Sequence, residues 1–305
     1  MKYITRKVIK GRIYHYLQYK NYSKNLGHFL PNDLKNKLLD FFINVSEKEY
    51  DHISDTIKNK FKFGSLEKLN KSHHIYIALK HSLFSKYYYD FFAKFIILFT
   101  YHSNRQEGSR VTKGEIESFI STGIRKPRTK TTQEIYNSFE AFNYAFSKDM
   151  KWNPKNIRHI HALLLDKTDP IIAGKWKTEN NVAPDNQPTT DCKKVSQEMK
   201  ELLKWLNSNF KNKDIYPPEL ALRFYCKFEK IHPFLDGNGR VGRILLNAIL
   251  HKFNFPPVIF YTENQREHSS AIKQILIGRP NKMYKHYLLQ VKKTNIVLIN
   301  NILTH

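Results

Sequence analysis

Hydrophobic side chains recur every three or four residues along much of the chain, which is the spacing of one face of an α-helix. This pattern predicts a mainly helical protein, and the small number of glycines, 11, agrees with it. One helix is predicted to begin at Pro31–Asp33 and to run towards Glu49. Further helices are predicted at about residues 74–102, 154–165, 192–210, 217–231 and 244–250, with one or two more after Pro257.

Two more helix starts are marked by capping boxes. In a capping box, a Ser or Thr side chain and a Glu side chain three residues later each bind the other residue's backbone amide. The segments Thr112–Glu115 and Thr131–Glu134 both fit this pattern. Each therefore predicts a helix that begins there.

Strand patterns are confined to short segments. Residues 3–9 and 13–19 mix β-branched or aromatic side chains with polar ones on either side of Gly11, which predicts a hairpin. The polar stretch 20–31 is predicted to be loop. Residues 166–191 show no helical period and contain Gly174 and two prolines, so they predict a long loop that includes a short hairpin. A loop of this length in a compact domain often has a function.

Composition narrows the class of protein. With 41% hydrophobic residues in 305, the chain can bury a substantial core. A formal charge of +24 attracts nucleotides, nucleic acid and acidic proteins, although we favour a compositional bias whose charges lie on solvated faces. Cys192 and Cys226 form no metal-spaced pair, which suits a reducing compartment. The N-terminus lacks a signal-peptide core, and the apolar run 87–101 is too short to span a bilayer, so we expect a cytoplasmic protein without a membrane partner.

The segment His232–Arg243 concentrates groups that handle phosphates. A loop containing Gly237 and Gly239 leads into a predicted helix, whose first turn presents free N–H groups and the positive end of the helix dipole. Arg240 and Arg243 could grip phosphate oxygens. Asp236 offers a hard oxygen ligand for Mg²⁺, and His232 can take a proton near neutral pH. This set fits transfer of a phosphate-bearing group to a hydroxyl, whereas a tight structural turn would not require it.

The same segment resembles the signature of the Fic family, His-Pro-Phe-x-(Asp/Glu)-Gly-Asn-Gly-Arg-x-x-Arg, at every fixed position. The resemblance extends over about residues 75–290. It implies a Fic-type helical bundle with a short β-hairpin flap, preceded by a hairpin-and-helix appendage at 1–60 and followed by a helical tail at 291–305. The Doc branch, which transfers a phosphate instead, typically departs at the second glycine and the last arginine, which this chain retains as Gly239 and Arg243.

The resemblance assigns a role to each residue of the segment. His232 would deprotonate a Ser, Thr or Tyr hydroxyl of a protein target, and Asp236 would hold Mg²⁺ at the α- and β-phosphates of ATP. The cradle for the phosphates would be formed by Gly237, Asn238 and Gly239. Arg240 and Arg243 would bind the β- and γ-phosphates. AMP would pass to the target, and pyrophosphate would leave.

A second segment, Ser103–Gly108, resembles the family's inhibitory motif, (Ser/Thr)-x-x-x-Glu-(Gly/Asn). Ser103 and Glu107 are four residues apart and share one helix face. The resemblance implies an inhibitory helix at about 75–108 in which Glu107 pairs with Arg243 and Gly108 follows it. ATP would then bind unproductively. Taken alone, the same pattern fits a charged helix end that Gly108 terminates.

The flap and the adenine pocket depart from the family. Residues 173–178 resemble the start of the flap, where Trp176 could contact a target or simply pack. Asn180 and Asn181 stand near a position that is usually apolar in the family. His268 stands where an aromatic residue often covers the adenine.

The resulting prediction is a protein adenylyltransferase with ATP as substrate and Mg²⁺ as cofactor, inhibited by Glu107. Self-modification, removal of AMP and homodimer formation are further properties that the resemblance implies. The alternatives are phosphoryl or UMP transfer, or a nucleic-acid-binding regulator with a vestigial site. The intact motif argues against the regulator with a vestigial site. Nucleic acid is a possible partner that we do not favour.

Overall fold

A computed structural model describes residues 3–53, 55, 58, 66–81, 85–122, 127–183, 187–277, 279 and 281–298. The chain divides into two compact units. The first contains residues 1–93, 254–256 and 295–305, and the second contains residues 94–253 and 257–294. The predicted domain limits at 60, 75 and 290 stay a prediction. In the described part of the chain, no helix is long and apolar enough to cross a membrane.

The predicted mainly helical fold is confirmed. The helices are α1 (Leu34–Asp51), α2 (Leu66–His81), α3 (Ser85–Gln106), α4 (Lys113–Ser121), α5 (Lys130–Phe146), α6 (Pro154–Leu165), α7 (Val195–Asn209), α8 (Pro217–Ile231), α9 (Asn238–Lys252), α10 (Gln265–Leu276) and α11 (Asn281–Leu298). The strands are β1 (Ile4–Ile9), β2 (Arg12–Tyr19), β3 (Tyr22–Gly27), β4 (Val182–Ala183) and β5 (Gln187–Pro188). Single 3₁₀ turns cover Cys192–Lys194 and Thr262–Asn264.

The N-terminal sheet contains one more strand than the sequence predicts. β1 and β2 form the expected antiparallel hairpin, but β3 lies in the stretch predicted to be loop and pairs antiparallel with β2. That prediction was wrong because Tyr22 and Leu26 pack against the buried cluster that includes Leu17 and Phe42. Burial of these two side chains stabilises a strand whose polar residues gave no local signal.

One predicted capping box is confirmed and the other is displaced. Thr112 and Glu115 cap α4 reciprocally. α5 begins two residues before its predicted box, with Thr129 as N-cap and the hydroxyl of Thr132 in the place of the Glu side chain. The carboxylate of Glu134 instead accepts a hydrogen bond from the Ser109 hydroxyl at 2.8 Å, which removes it from the capping role.

The helix predicted at about 74–102 corresponds to α2 and α3, and residues 82–84 lie outside the described residues. The short hairpin predicted within 166–191 is present as β4 and β5. In the second unit, α9 packs against both α8 and α5, and its residues 241–250 are buried on every face. The connection between α8 and α9 is therefore held at both ends by buried helices.

Candidate active site

The connection between α8 and α9 begins at His232 and ends at Gly237. His232 has a left-handed backbone (φ 49°) and donates its N–H to the Phe228 carbonyl at 2.9 Å, which terminates α8. This conformation costs a non-glycine residue about 1–2 kcal/mol, so the surroundings must enforce it. Gly237 (φ 76°) adopts the corresponding conformation before α9. These two residues turn the chain so that the first turn of α9 faces the His232 side chain.

The Asn238 side chain closes this connection from inside. Its Oδ1 accepts from the Phe234 N–H and its Nδ2 donates to the Phe234 carbonyl, both at 2.8 Å. Phe234 is fully buried and Asn238 nearly so. The Asn238 side chain is thus committed to the loop, and only its backbone N–H is available to a ligand.

His161 supports the connection from α6, a role that the sequence analysis missed. Its Nδ1 accepts from the Gly174 N–H at 2.9 Å, so its Nε2 donates to the Asp236 carbonyl at 3.0 Å. The imidazole stacks on the Phe234 ring at 3.8 Å, and burial lowers its pKa to about 4. His161 lies on the buried face of α6 with Ile157 and Leu164, a periodicity that could have marked it as an interior residue.

The N-terminus of α9 presents the backbone amides of its first turn. Gly239 lies in this turn, and a Cβ there would collide with the Glu107 carboxylate, so a side chain at this position requires that carboxylate to move. Arg240 donates to the Asp236 carboxylate at 3.0 Å. The Asp236 side chain is 61% exposed, which leaves its oxygens within reach of a ligand.

Arg243 is buried in α9 and is held by two residues of the Ser103–Gly108 segment. Its Nη2 donates to the Glu107 Oε1 at 2.7 Å and to the Ser103 carbonyl at 3.0 Å. Its Nε donates to the Ser103 hydroxyl at 3.0 Å. Burial, the largest influence, opposes the charge of Arg243, but Glu107, Tyr225 and Glu229 together raise the Arg243 pKa. Gly108 (φ 85°) turns the chain away just after the end of α3.

The His232 imidazole is largely buried, with 13% of its side chain exposed. Burial, followed by the charge of Lys177, lowers its pKa to about 4, so the ring is neutral near pH 7 and free to accept a proton. The Glu229 carboxylate lies 3.9 Å from its Nδ1. Glu229 is itself almost fully buried, and this burial raises its pKa to about 7.

These groups surround a single cavity of about 400 Å³. Its lining includes the general-base candidate His232, the first turn of α9, and the two charged residues Glu107 and Arg243. Arg240 and Ser103 lie beside it, where they contact Asp236 and Arg243. The remaining lining residues are Gln106, Val182, Tyr225, Glu229, Leu235, Asp236, Gln265, His268, Ser269 and Ile272.

The segment before β4 is fastened to the loop that follows α8. The buried Nζ of Lys177 donates to the Asn181 Oδ1 and the Thr189 hydroxyl, both at 2.7 Å. The Lys177 N–H donates to the Pro233 carbonyl at 2.9 Å. Asn181, predicted as a departure near an apolar position, donates to the Phe234 carbonyl at 2.9 Å. It therefore anchors this segment.

Two aromatic positions named in the sequence analysis are now located. Trp176 packs on Phe234 with ring centroids 5.0 Å apart, and the Arg158 guanidinium lies over the Trp176 ring, 5.8 Å from its centre. His268 lines the cavity but is buried, and its Nε2 lies 2.8 Å from the Tyr225 hydroxyl. Burial keeps the His268 pKa well below its usual value, so it contributes a neutral ring to the cavity wall.

At the N-terminus of α9, a magnesium ion would find the exposed carboxylate of Asp236. Among the described residues, no group of three or more His, Cys, Asp or Glu side chains could hold a metal. Mg²⁺ is commonly held by one or two carboxylates together with substrate phosphates and water. The exposed Asp236 carboxylate, next to the free amides of α9, fits that mode of binding.

Comparison with known proteins bears on this site. Residues 151–250 match the Fic/DOC family model. A protein adenylyltransferase Fic from Nematostella vectensis is 30% identical over 181 residues, which are 57% of this chain and 42% of the relative. Protein adenylyltransferase fic-1 from Caenorhabditis elegans is 28% identical over 188 residues, 59% of this chain and 37% of the relative. The chain thus spans less than half the length of either relative.

Solved structures share the fold. Fic-1 from C. elegans superposes with a TM-score of 0.68 at 21% identity, covering 89% of this chain and 85% of that one. A Fic domain containing signaling protein from Bacteroides thetaiotaomicron gives 0.61 at 21% identity, covering 77% and 91%. At these identities the likeness is one of fold.

Proposed function

Because residues 151–250 match the Fic/DOC family model, we propose that this protein is an adenylyltransferase that moves AMP from ATP to a hydroxyl side chain of a protein target. One observation carries the proposal. A neutral, largely buried His232 faces the free amides of α9 across one cavity, together with the buried Arg243. A base, an anion-binding helix end and a guanidinium are what phosphoryl-centred transfer to a hydroxyl requires.

In the proposed reaction, the target hydroxyl gives its proton to His232 while its oxygen attacks the α-phosphorus. The bond between that phosphorus and the bridging oxygen to the β-phosphate breaks, and pyrophosphate leaves. Asp236 would hold Mg²⁺, which when bound neutralises phosphate charge. The amides of Asn238, Gly239 and Arg240 would bind phosphate oxygens, and Arg240 and Arg243 would bind the β- and γ-phosphates.

The pKa of His232 suits this role. The ring is neutral in the free protein because burial and the charge of Lys177 lower its pKa to about 4. Arrival of the ATP phosphates would add negative charge nearby and raise that pKa, so the ring would become a stronger base once substrate is bound. Proton acceptance would therefore be favoured after ATP has entered the cavity.

We further propose that Glu107 inhibits the reaction. Its carboxylate binds Arg243 at 2.7 Å, where the γ-phosphate would need that guanidinium. Two like unit charges about 4 Å apart repel by about 4 kcal/mol at the effective dielectric of a protein surface. A γ-phosphate in the productive position would thus meet both an occupied partner and a repulsive charge. ATP would bind less productively until Glu107 moves.

An isotope experiment tests both proposals. The protein would be incubated with Mg²⁺ and ATP labelled at either the α- or the γ-phosphate, using wild type, Glu107→Gly and His232→Ala, with candidate target proteins present and self-modification scored. We expect protein-bound label from the α-position only, strongest in Glu107→Gly and absent in His232→Ala. Label from the γ-position would establish phosphoryl transfer instead. Equal labelling by wild type and Glu107→Gly would overturn the inhibitory role.

A further inference from the structure

The N-terminal sheet has one face directed towards the core of its unit and one directed away from it. Leu17, Tyr19 and Tyr22 pack against the buried cluster, which fixes the inner face. Because side chains alternate along strands and paired residues share a face, the register assigns the other positions to the outer face. These are Thr5, Lys7, Tyr14, Tyr16, Gln18, Ser23 and Asn25, with Ile9 and Arg12 at the turn end.

Contacts between side chains agree with this assignment. The Lys7 Nζ lies 4.9 Å from the centre of the Tyr16 ring. The Thr5 hydroxyl donates to the side-chain carbonyl oxygen of Gln18, Oε1, at 3.2 Å. Lys7, Arg12, Gln18 and Asn25 are all exposed, whereas the two tyrosines are half-buried. The outer face therefore presents exposed cations, amides and hydroxyls around two half-buried tyrosine rings.

Its charge is of one sign. Residues 1–32 contain no Asp or Glu, and their cationic side chains are Lys2, Arg6, Lys7, Lys10, Arg12, Lys20 and Lys24. Lys20 is paired with Glu49 of α1. Lys7 and Arg12 lie on the outer face, where no residue of the strands themselves can neutralise them. On this side of the sheet, an anionic partner would meet two cations and no carboxylate of the strands.

We propose that the outer face of this sheet binds duplex DNA by lying in the major groove. Three strands spaced about 4.8 Å apart span about 10 Å, and the major groove of B-form DNA is about 12 Å wide. Lys7 and Arg12 contact phosphates or guanine edges, and the side-chain amide N–H groups of Gln18 and Asn25 face base edges, to which they can donate hydrogen bonds. The half-buried rings of Tyr14 and Tyr16 lie between these polar side chains.

The composition of the face favours DNA over two other anionic partners. Gln18, Asn25 and Thr5 stand at its middle, and burying such groups against lipid would cost free energy because lipid offers them no hydrogen bonds. Of the exposed apolar side chains of the hairpin, Val8 and Ile13 belong to the inner face, and Ile9 lies alone at the turn end of the outer face, which is too little apolar surface for insertion into lipid. The major groove of A-form RNA is too narrow to admit a sheet.

The test uses the full chain and a short fluorescent DNA duplex of mixed sequence, with fluorescence anisotropy measured over a series of KCl concentrations. The variant Lys7→Gln/Arg12→Gln removes two cations from the outer face. The control Lys211→Gln/Lys213→Gln removes two exposed cations from the second unit. We expect binding that weakens with salt, about tenfold weaker in the first variant, with a salt slope smaller by about 1.8.

The control should bind as wild type does. Equal weakening by both variants would show attraction by net charge alone and overturn the proposal, as would no binding at low salt. Preference for anionic phosphatidylserine vesicles or for duplex RNA over DNA would overturn it in favour of those partners. Circular dichroism checks that each variant is folded. AMP labelling unchanged by Lys7→Gln/Arg12→Gln would show that DNA binding is independent of the transferase site.

Discussion

The Glu107 carboxylate fills the space in front of the Gly239 α-carbon, where a Cβ would collide with its Oε1 and lie 2.9 Å from the Arg243 Nη1. The absence of a side chain at Gly239 therefore leaves space for the Glu107–Arg243 pair as well as for a bound phosphate. The pairing of Glu107 with Arg243 is packed against the very turn of α9 that a nucleotide would use.

This contact predicts that substitutions of Gly239 and Glu107 have non-additive effects on the free energy of unfolding. Gly239→Ala should lower the thermal midpoint of unfolding, because the new methyl group displaces the Glu107 carboxylate from Arg243, and a hydrogen bond to a charged group contributes about 1.5–3 kcal/mol. In a Glu107→Gly background the same substitution should cost clearly less, because its main obstacle is gone. A double-mutant cycle of unfolding midpoints measures the difference. Equal costs in the two backgrounds would mean that Glu107 does not occupy this space in solution.

Ser103 should hold Arg243 in its inhibited position. Ser103→Ala removes the acceptor for the Arg243 Nε and should raise AMP labelling by about threefold to tenfold, since a hydrogen bond to a charged group contributes about 1.5–3 kcal/mol and water replaces part of it. Labelling should stay below that of Glu107→Gly, which removes the rival charge. The exposed Ser118→Ala in α4 is the control and should leave labelling at the wild-type level. An unchanged rate in Ser103→Ala would assign the restraint to Glu107 alone.

Glu229 should give the reaction a pH dependence near neutrality. Burial raises its pKa to about 7, so it gains its charge as pH rises through that value. A carboxylate 3.9 Å from the His232 Nδ1 stabilises the imidazolium that forms when His232 takes a proton. We expect kcat/KM to increase through about pH 7 in wild type, and this increase to vanish in Glu229→Gln. Retention of the increase in Glu229→Gln would assign it to another group.

The same carboxyl should affect stability with the opposite sign. Its folded pKa lies above its ordinary value of 4.5, so its contribution to stability is fully present below about pH 4.5 and is lost as pH rises through about 7. Glu229→Gln stays neutral. The difference in unfolding midpoint between this variant and wild type should therefore shift in favour of the variant as pH increases from 5 towards about 8. Chemical or thermal unfolding at several pH values measures this difference. A difference that is constant with pH would contradict the raised pKa.

Lys177 should be required for target modification more than for ATP binding. Lys177→Gln leaves buried acceptors on Asn181, Thr189 and Ile231 without their cationic donor and loosens the segment before β4. We expect a fall of about tenfold in kcat/KM for a protein target, with the KM for ATP changed little, because a lost buried hydrogen bond costs about 1–3 kcal/mol. The exposed Lys175→Gln should retain wild-type kinetics. A rise in the KM for ATP alone would place the effect in the nucleotide site.

The sequence predicted the local parts of this site and missed the long-range ones. The turn between two helices, the capping box at Thr112 and the proximity of Glu107 to Arg243 all follow from short motifs or from family resemblance. The capping box at Thr131 was misplaced because Ser109, far along the chain, takes up Glu134. The third strand was missed because only the buried cluster reveals why Tyr22 and Leu26 belong in a sheet.

His161 and Glu229 were missed for a related reason. Each lies on a helix whose periodicity predicts burial, but nothing in the neighbouring residues indicates what a buried polar group would contact. Their partners, the Asp236 carbonyl and the His232 ring, come from the loop that the motif identifies. A buried polar residue on the helix that precedes or supports a recognised loop is therefore worth examining first.

Glu107 and Arg243 lie in parts of the chain that differ in how easily they unfold locally. Arg243 sits within a helix that is buried on every face, whereas Glu107 lies one residue beyond the end of α3 and is followed by an exposed glycine. Helix ends open locally at far lower free energy than buried helices do. Release of the proposed inhibition would consequently require only the fraying of one helical turn, which leaves the buried helix that carries Arg243 undisturbed.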